Sequence, residues 1–245
     1  TDEDYQYSVA WIDCLSRGRS LGRSVIMLGN NASRSQLSAR QRQSPLQVPP
    51  PRSRSVPFYL PKIMLNPWSV QAFNSLYYEI HRDGSRLVNY YKFFYPLDSL
   101  LHWNRIYGRR GVIQYQALFP RETSRRALKE LMNKIATSRL PSFLAVLKSS
   151  GSAGQGILSY MYPGHTLALD FPVTAGLRPF LKELDELLLQ HGGRLYLAKD
   201  ATMSAETFAA MYPRLNEFKQ IKSRIDPENR FVSSQARRLG IVESS

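Results

Sequence analysis

At 245 residues, 43% of them hydrophobic and 11% aromatic, the chain can bury a substantial core in one or two domains and is too apolar to be disordered. No apolar run reaches the ~18 residues that span a bilayer, and no charged-then-apolar signal segment opens the sequence. A formal net charge of +14 attracts phosphates, but the arginines are scattered and no helix-turn-helix, zinc-finger or RNP pattern accompanies them, so no specific nucleic-acid partner is expected.

The chain opens on acidic Thr1-Asp2-Glu3-Asp4 and enters a strand almost at once, which reads as a cut through a longer protein. Strand patterns at Tyr7–Asp13 and Val25–Leu28 flank Ser16–Ser24, a segment of paired glycines and arginines whose backbone could approach a phosphate. Cys14 is the single cysteine, so no internal disulfide forms, and it reads as an ordinary buried thiol of a cytosolic protein. From Asn30 to Ser55, Gln, Ser, Arg and Pro replace the hydrophobic pattern, which predicts a mobile surface loop, a candidate lid over a substrate entrance.

Order resumes at Val56, and Asn66-Pro67 starts a helix carrying Val70, Phe73, Leu76, Tyr77 and Ile80 at helical spacing. Aromatic-rich Leu87–Phe94 predicts a strand, Ser99–Tyr107 a helix and Gly111–Phe119 a strong strand. A helix over Glu122–Thr137 presents Ala127, Leu128, Leu131 and Ile135 on one face. Strands follow at Phe143–Lys148 and Thr166–Val173, then a helix over Leu177–His191 that stops at Gly192-Gly193. A short strand Arg194–Ala198 and helices near Ala205–Met211 and Arg214–Ile225 complete the pattern. Strands mixed with fewer helices and several hairpin-length connections predict an α+β fold, a mainly antiparallel sheet flanked by helices.

Gln114 and Gln116 share one face of their strand, and two amides beside Val112 and Leu118 need partners that a polar ligand could supply. If Arg194–Ala198 continues as a strand, Lys199 falls on the face of Leu195 and Leu197, where it could stabilise negative charge or simply face solvent. Lys148 ends its strand in the same way. The four histidines show no ligand spacing, and no metal is expected. His165 has no identifiable partner for base catalysis. A GxSxG elbow, an HExxH pair and a Walker loop are absent, and the glycine-rich 151–156 string lacks the strand-to-helix setting of a dinucleotide fingerprint.

Several strings, in order along nearly the whole chain, resemble the decaprenylphosphoryl-β-D-ribose-oxidase-like flavoproteins of the vanillyl-alcohol-oxidase group, near the sugar-lactone and alditol oxidases. They are Trp11-Ile12-Asp13 with Gly18–Arg23, Tyr95-Pro96-Leu97-Asp98 with Trp103-Asn104-Arg105, Gly108–Gln116 (GRRGVIQYQ), Asp170-Phe171-Pro172, Gly192–Asp200 (GGRLYLAKD), Ala205–Phe208, Met211-Tyr212-Pro213, and Asp226-Pro227 with Phe231. The resemblance implies a substrate-binding (cap) domain over residues 1–193 and, over 194–245, a C-terminal segment that completes an FAD-binding domain whose N-terminal part is missing. It implies FAD in the full-length protein, none bound to these residues alone, and oxidation of a secondary alcohol on a sugar, polyol or phospho-sugar substrate, polyprenyl-phosphate-linked ones included. The implied location is cytoplasmic, with peripheral attachment at the inner face of the membrane.

By position, the resemblance makes Lys199 the catalytic lysine beside flavin and substrate, and Tyr196 its pocket neighbour, which also contacts substrate and cofactor. It makes Gln114 and Gln116 the active-site amides, Gln116 also near the cofactor, and Lys148 a pocket-lining lysine. Phe94, Ala168 and Thr166 stand where a mycobacterial member has tyrosine, cysteine and asparagine, which sets this substrate pocket apart. The competing reading is a basic, non-catalytic module for nucleic acid or anionic membrane, whose binding would weaken steeply with salt.

Overall fold

A computed structural model describes residues 4–48, 53–61, 64, 66–138, 140, 142 and 144–242. Eight strands and eight α-helices are assigned among these residues, joined by short 3-10 turns. The strands are β1 (Tyr7–Ile12), β2 (Ser24–Gly29), β3 (Arg54–Ser55), β4 (Leu100–Leu101), β5 (Val112–Pro120), β6 (Ala145–Ser150), β7 (Gly164–Pro172) and β8 (Arg194–Leu195). The helices are α1 (Ala39–Gln43), α2 (Pro67–Ile80), α3 (Tyr90–Phe94), α4 (Arg121–Ser138), α5 (Leu177–Gln190), α6 (Ala205–Met211), α7 (Leu215–Ile225) and α8 (Ser234–Arg238).

Six strands form one sheet in the order β2-β1-β6-β7-β5-β8, and every pairing in it is antiparallel. The expected α+β architecture is therefore present. A separate parallel pair joins β3 to β4.

Period-two alternation divides the two faces of the sheet. Tyr115, Ala117 and Phe119 of β5, Leu167, Leu169 and Phe171 of β7 and Ala145 of β6 point to one side and are buried. Helix α4 lays Ala127, Leu131, Met132 and Ile135 on them, and α5 adds Leu177, Phe180, Leu181, Leu184 and Leu188. Each large side chain so buried contributes about 1.5–3 kcal/mol. The other face carries Gln114, Gln116, Thr166, Ala168, Asp170 and Lys148.

Helix α5 ends where the sequence indicates. Gly192 adopts φ +67°, its N–H reaches the Leu189 carbonyl at 3.1 Å, and the Gly193 N–H reaches that of Leu188 at 2.7 Å. This left-handed turn satisfies the last carbonyls and delivers the chain directly to β8 alongside β5. At Gly193 a Cβ would lie 2.9 Å from the Leu118 carbonyl oxygen, so the close crossing admits no side chain.

Four expectations are corrected. Leu87–Phe94 is not a strand: Asn89 caps a helical turn by accepting from the Tyr91 N–H at 2.9 Å, and the aromatic residues after it form α3. The region Ser99–Tyr107 is not one helix: Ser99 closes a 3-10 turn that starts at Pro96, β4 interrupts, and Trp103–Tyr107 winds as a second 3-10 helix. The strand predicted over Arg194–Ala198 stops at Leu195, and Leu197–Lys199 turns as 3-10 helix. Within Asn30–Ser55, residues 30–48 are not featureless: Ser33 and Ser38 start a 3-10 turn and α1 with reciprocal Gln36 and Gln41 caps. Phe143, expected in β6, and Pro49–Arg52 of the loop lie outside the described residues.

Candidate active site

The polar face of the sheet centres on the β5–β7 pair. In its register Gln114 lies opposite Asp170, Gln116 opposite Ala168 and Leu118 opposite Thr166. Strand β6 continues the row, with Val146 opposite Ala168 and Lys148 opposite Thr166. Directly paired residues project to the same side, so one surface gathers Gln114, Gln116, Thr166, Ala168, Asp170 and Lys148.

Two hydrogen-bonded groups organise it. Gln114 Nε2 donates to Asp170 Oδ1 at 2.6 Å, and the Tyr107 hydroxyl approaches Asp170 Oδ2 at 3.4 Å. Asp170 is only 1% exposed. Burial pushes its carboxyl up from the usual range, while the two hydrogen bonds and the charge of Lys199 pull it back. In the second group Gln116 Nε2 donates to Thr166 Oγ1 at 3.3 Å, and Thr166 Oγ1 shares a 2.5 Å hydrogen bond with the Tyr160 hydroxyl. Burial drives the Tyr160 phenol well above its ordinary value, so it stays neutral and can both donate and accept. The Tyr160 ring packs on that of Tyr196, with centroids 4.6 Å apart.

Lys199 stands at the rim, exposed, on the turn that follows β8. Its expected register beside Leu195 and Leu197 does not hold, because the strand has already ended; tertiary contacts place it instead. The Tyr196 N–H bonds the Gln116 carbonyl at 2.9 Å, tying the start of the turn to β5. Asp200 closes the turn by accepting from the Thr202 and Met203 N–H groups at 3.0 and 2.9 Å. Helix α8 then clasps it: Gln235 Nε2 donates to the Leu197 carbonyl at 2.7 Å, and Arg238 Nη2 donates to Asp200 Oδ2 at 2.6 Å.

Seven of the eight sequence-predicted site residues thus share or border one surface: Gln114, Gln116, Lys148, Thr166, Ala168, Tyr196 and Lys199. Lys148 lies on the same face of β6, exposed. Phe94 does not join them. It sits in α3, its ring edge-on to Tyr7 of β1 at 4.9 Å, with β6 between that strand and β7. Sequence reasoning passed over Asp170 and Tyr160 as site residues. Asp170 was legible in principle, since it follows Thr166 and Ala168 at the same period of two; Tyr160 lies in an irregular segment with no such signal.

Other candidates resolve into structural roles. Arg23 is held by Asp13 at 2.6 Å, Asn74 donates to the same carboxylate at 2.8 Å, and Arg17 bonds the Ala136 carbonyl. The glycine–arginine segment is thereby bound into the fold through these two arginines. His165 Nδ1 pairs with Ser124 Oγ at 2.9 Å, and Cys14 is fully buried beside Met132. Among the described residues no cluster of three His, Cys, Asp or Glu side chains could hold a metal, and no helix is long and apolar enough to cross a membrane. A surface hollow of about 550 Å³ between residues 155–159 and Phe218 and Ile221 of α7 contains none of the site residues.

The D-arabinono-1,4-lactone oxidase family profile matches residues 117–239. The decaprenylphosphoryl-β-D-ribose oxidase of Mycolicibacterium smegmatis is 38% identical over 245 residues, covering 99% of this chain and 53% of that protein. The protein encoded in the mprA 5′ region of Streptomyces coelicolor is 30% identical over 248 residues, covering 98% and 67%. An L-gulono-1,4-lactone dehydrogenase of Mycobacterium tuberculosis is 24% identical over 122 residues, 49% of this chain and 28% of its own. The chain therefore spans about half the length of the first of these relatives and two thirds of the second.

Proposed function

The chain belongs to the D-arabinono-1,4-lactone oxidase family, and on that footing we propose that it is the substrate-binding and C-terminal part of an FAD-dependent oxidoreductase that oxidises a secondary alcohol of a sugar or polyol. Residues 1–193 form the substrate-binding part on this reading, and 194–245 the segment that completes a flavin domain. The observation that carries the proposal is the single polar surface on β5 and β7, where two amides, a hydroxyl pair and a buried carboxylate adjoin the Lys199 turn. The names of the relatives, one a ribose-derivative oxidase and one a sugar-lactone dehydrogenase, support a sugar-like substrate.

The donor set suits a flavin and a polyol lying against this face. When bound, the flavin would supply the hydride acceptor. Lys199 would place a positive charge where negative charge develops on the substrate oxygen or the reduced ring. Gln114 and Gln116 would bond substrate hydroxyls, and Lys148 would grip an anionic group such as a phosphate. The net charge of +14, with Phe58, Trp68 and Tyr95 exposed, supports peripheral attachment to an anionic membrane surface as part of the same reading.

The test is made on the full-length protein. It should purify with a flavin absorbance spectrum, bleach anaerobically on addition of a competent sugar alcohol or phospho-sugar, and show no useful affinity for oligonucleotides at physiological salt. Residues 1–245 alone should be colourless. A colourless full-length protein, or strong salt-dependent oligonucleotide binding, would overturn the proposal.

A further inference from the structure

We infer that Asp170 is a positioning residue that sets substrate specificity by fixing which atom Gln114 presents. The inference rests on the oxidase reading and deepens it. A primary amide has two ends of similar size and opposite hydrogen-bonding character, so an unconstrained glutamine can offer a substrate either donor or acceptor. Gln114 is constrained. Its partner across the β5–β7 pair is a carboxylate that, when ionised, only accepts, so the amide turns its NH2 towards Asp170, at 2.6 Å. The carbonyl end, Oε1, therefore faces away from Asp170, and among the described residues it makes no hydrogen bond.

The anchor is itself held. Asp170 is almost fully buried, the Tyr107 hydroxyl approaches its second oxygen, and its backbone N–H bonds the Leu144 carbonyl at 3.1 Å and Ser142 Oγ at 3.2 Å. The carboxylate cannot swing to follow a rotating amide. Lys199 lies within electrostatic reach and favours the ionised, acceptor-only form. What results is a fixed acceptor on the polar face, near the rim where Lys199 stands. It selects a substrate position bearing a hydroxyl, which can donate, and rejects the same position when it is deoxy, O-methylated or a carbonyl.

The substitution Asp170→Asn removes that constraint, because an amide in place of the carboxylate could present either of its own ends and let Gln114 turn over. The experiment measures kcat/KM of the flavin-loaded full-length enzyme for a competent sugar alcohol and for its singly deoxy and O-methyl analogues. Wild type should discriminate by roughly tenfold or more at one hydroxyl. In Asp170→Asn that ratio should fall towards one, through a raised KM for the parent sugar rather than a lowered kcat, with discrimination at the other hydroxyls retained. Gln114→Met, which deletes the acceptor and leaves Asp170 in place, should lose discrimination at the same hydroxyl and serves if the first variant fails to fold. Unchanged discrimination in either folded, active variant would overturn the inference alone. A wild-type enzyme that oxidises no sugar alcohol would overturn the oxidase reading, and this role with it.

Discussion

Arg238 of α8 donates to Asp200 at 2.6 Å, so a helix close to the end of the described chain is tied to the residue that follows Lys199. The Asp200 side chain is wholly inaccessible and that of Arg238 one-third exposed. Arg238→Ala leaves Asp200 with Gln235 and two backbone donors but without its countercharge, which should cost about 1–3 kcal/mol of stability. It should also loosen the lysine turn. Chemical denaturation checks the first effect, and slower flavin reduction by the folded variant checks the second. Wild-type values in both would mean that α8 merely rests on the turn.

Lys199→Ala in the full-length enzyme should slow flavin reduction by roughly two to three powers of ten, the scale for losing one positioned electrostatic partner. Lys148→Ala should instead raise KM more than it lowers kcat, since on the oxidase reading this exposed lysine on β6 holds substrate rather than the reacting atoms. Anaerobic stopped-flow measurements separate the two. Near-wild-type reduction by a flavin-loaded Lys199 variant would return that residue to solvent.

Asp185 of α5 accepts from the Tyr115 hydroxyl at 2.9 Å inside the core, and burial raises its carboxyl to about 7. In the unfolded chain the same carboxyl titrates near 4. Between those values the folded protein keeps a proton that the unfolded chain releases. Stability contributed by this group is therefore fully present below about pH 4 and is lost as pH rises towards 7. Asp185→Asn should flatten that dependence, gaining on the order of 3 kcal/mol relative to wild type between pH 4 and pH 8. Denaturant midpoints across the range would show it, and parallel curves for the two proteins would refute it.

Limited trypsin digestion should nick the chain first at Arg40 or Arg42, where α1 is a five-residue helix with no buried side chain. Arg54, paired through β3 with Leu100, should be cut later. First cleavage in α4 or α5 would contradict this order.

The strongest patterns in the sequence mark the layer that supports the site. Strands β5 and β7 and helices α4 and α5 keep their apolar periods because the core demands them at every second or every third-to-fourth position. The aromatic stretch that forms α3 misleads, since Tyr and Phe favour strands in general, while Asn89 and contact with Tyr7 decide for helix here. The end of β8 could not be read locally. Tyr212 takes the Leu195 carbonyl at 2.6 Å and Gln235 that of Leu197, both from residues well along the chain. Helix α8 has no apolar period to announce it, and only Ser233, accepting from the Ala236 N–H, marks its start.

The alternation along β5 and β7 has a consequence for how this protein can change. Residues 115, 117, 119, 167, 169 and 171 answer to the packing of two helices, and a change there puts the whole fold at risk. Their immediate neighbours 114, 116, 166 and 168 answer to whatever lies on the opposite surface. On the oxidase reading, substrate preference can therefore drift one residue at a time, as at Thr166 and Ala168, while the scaffold a single peptide bond away stays unaltered.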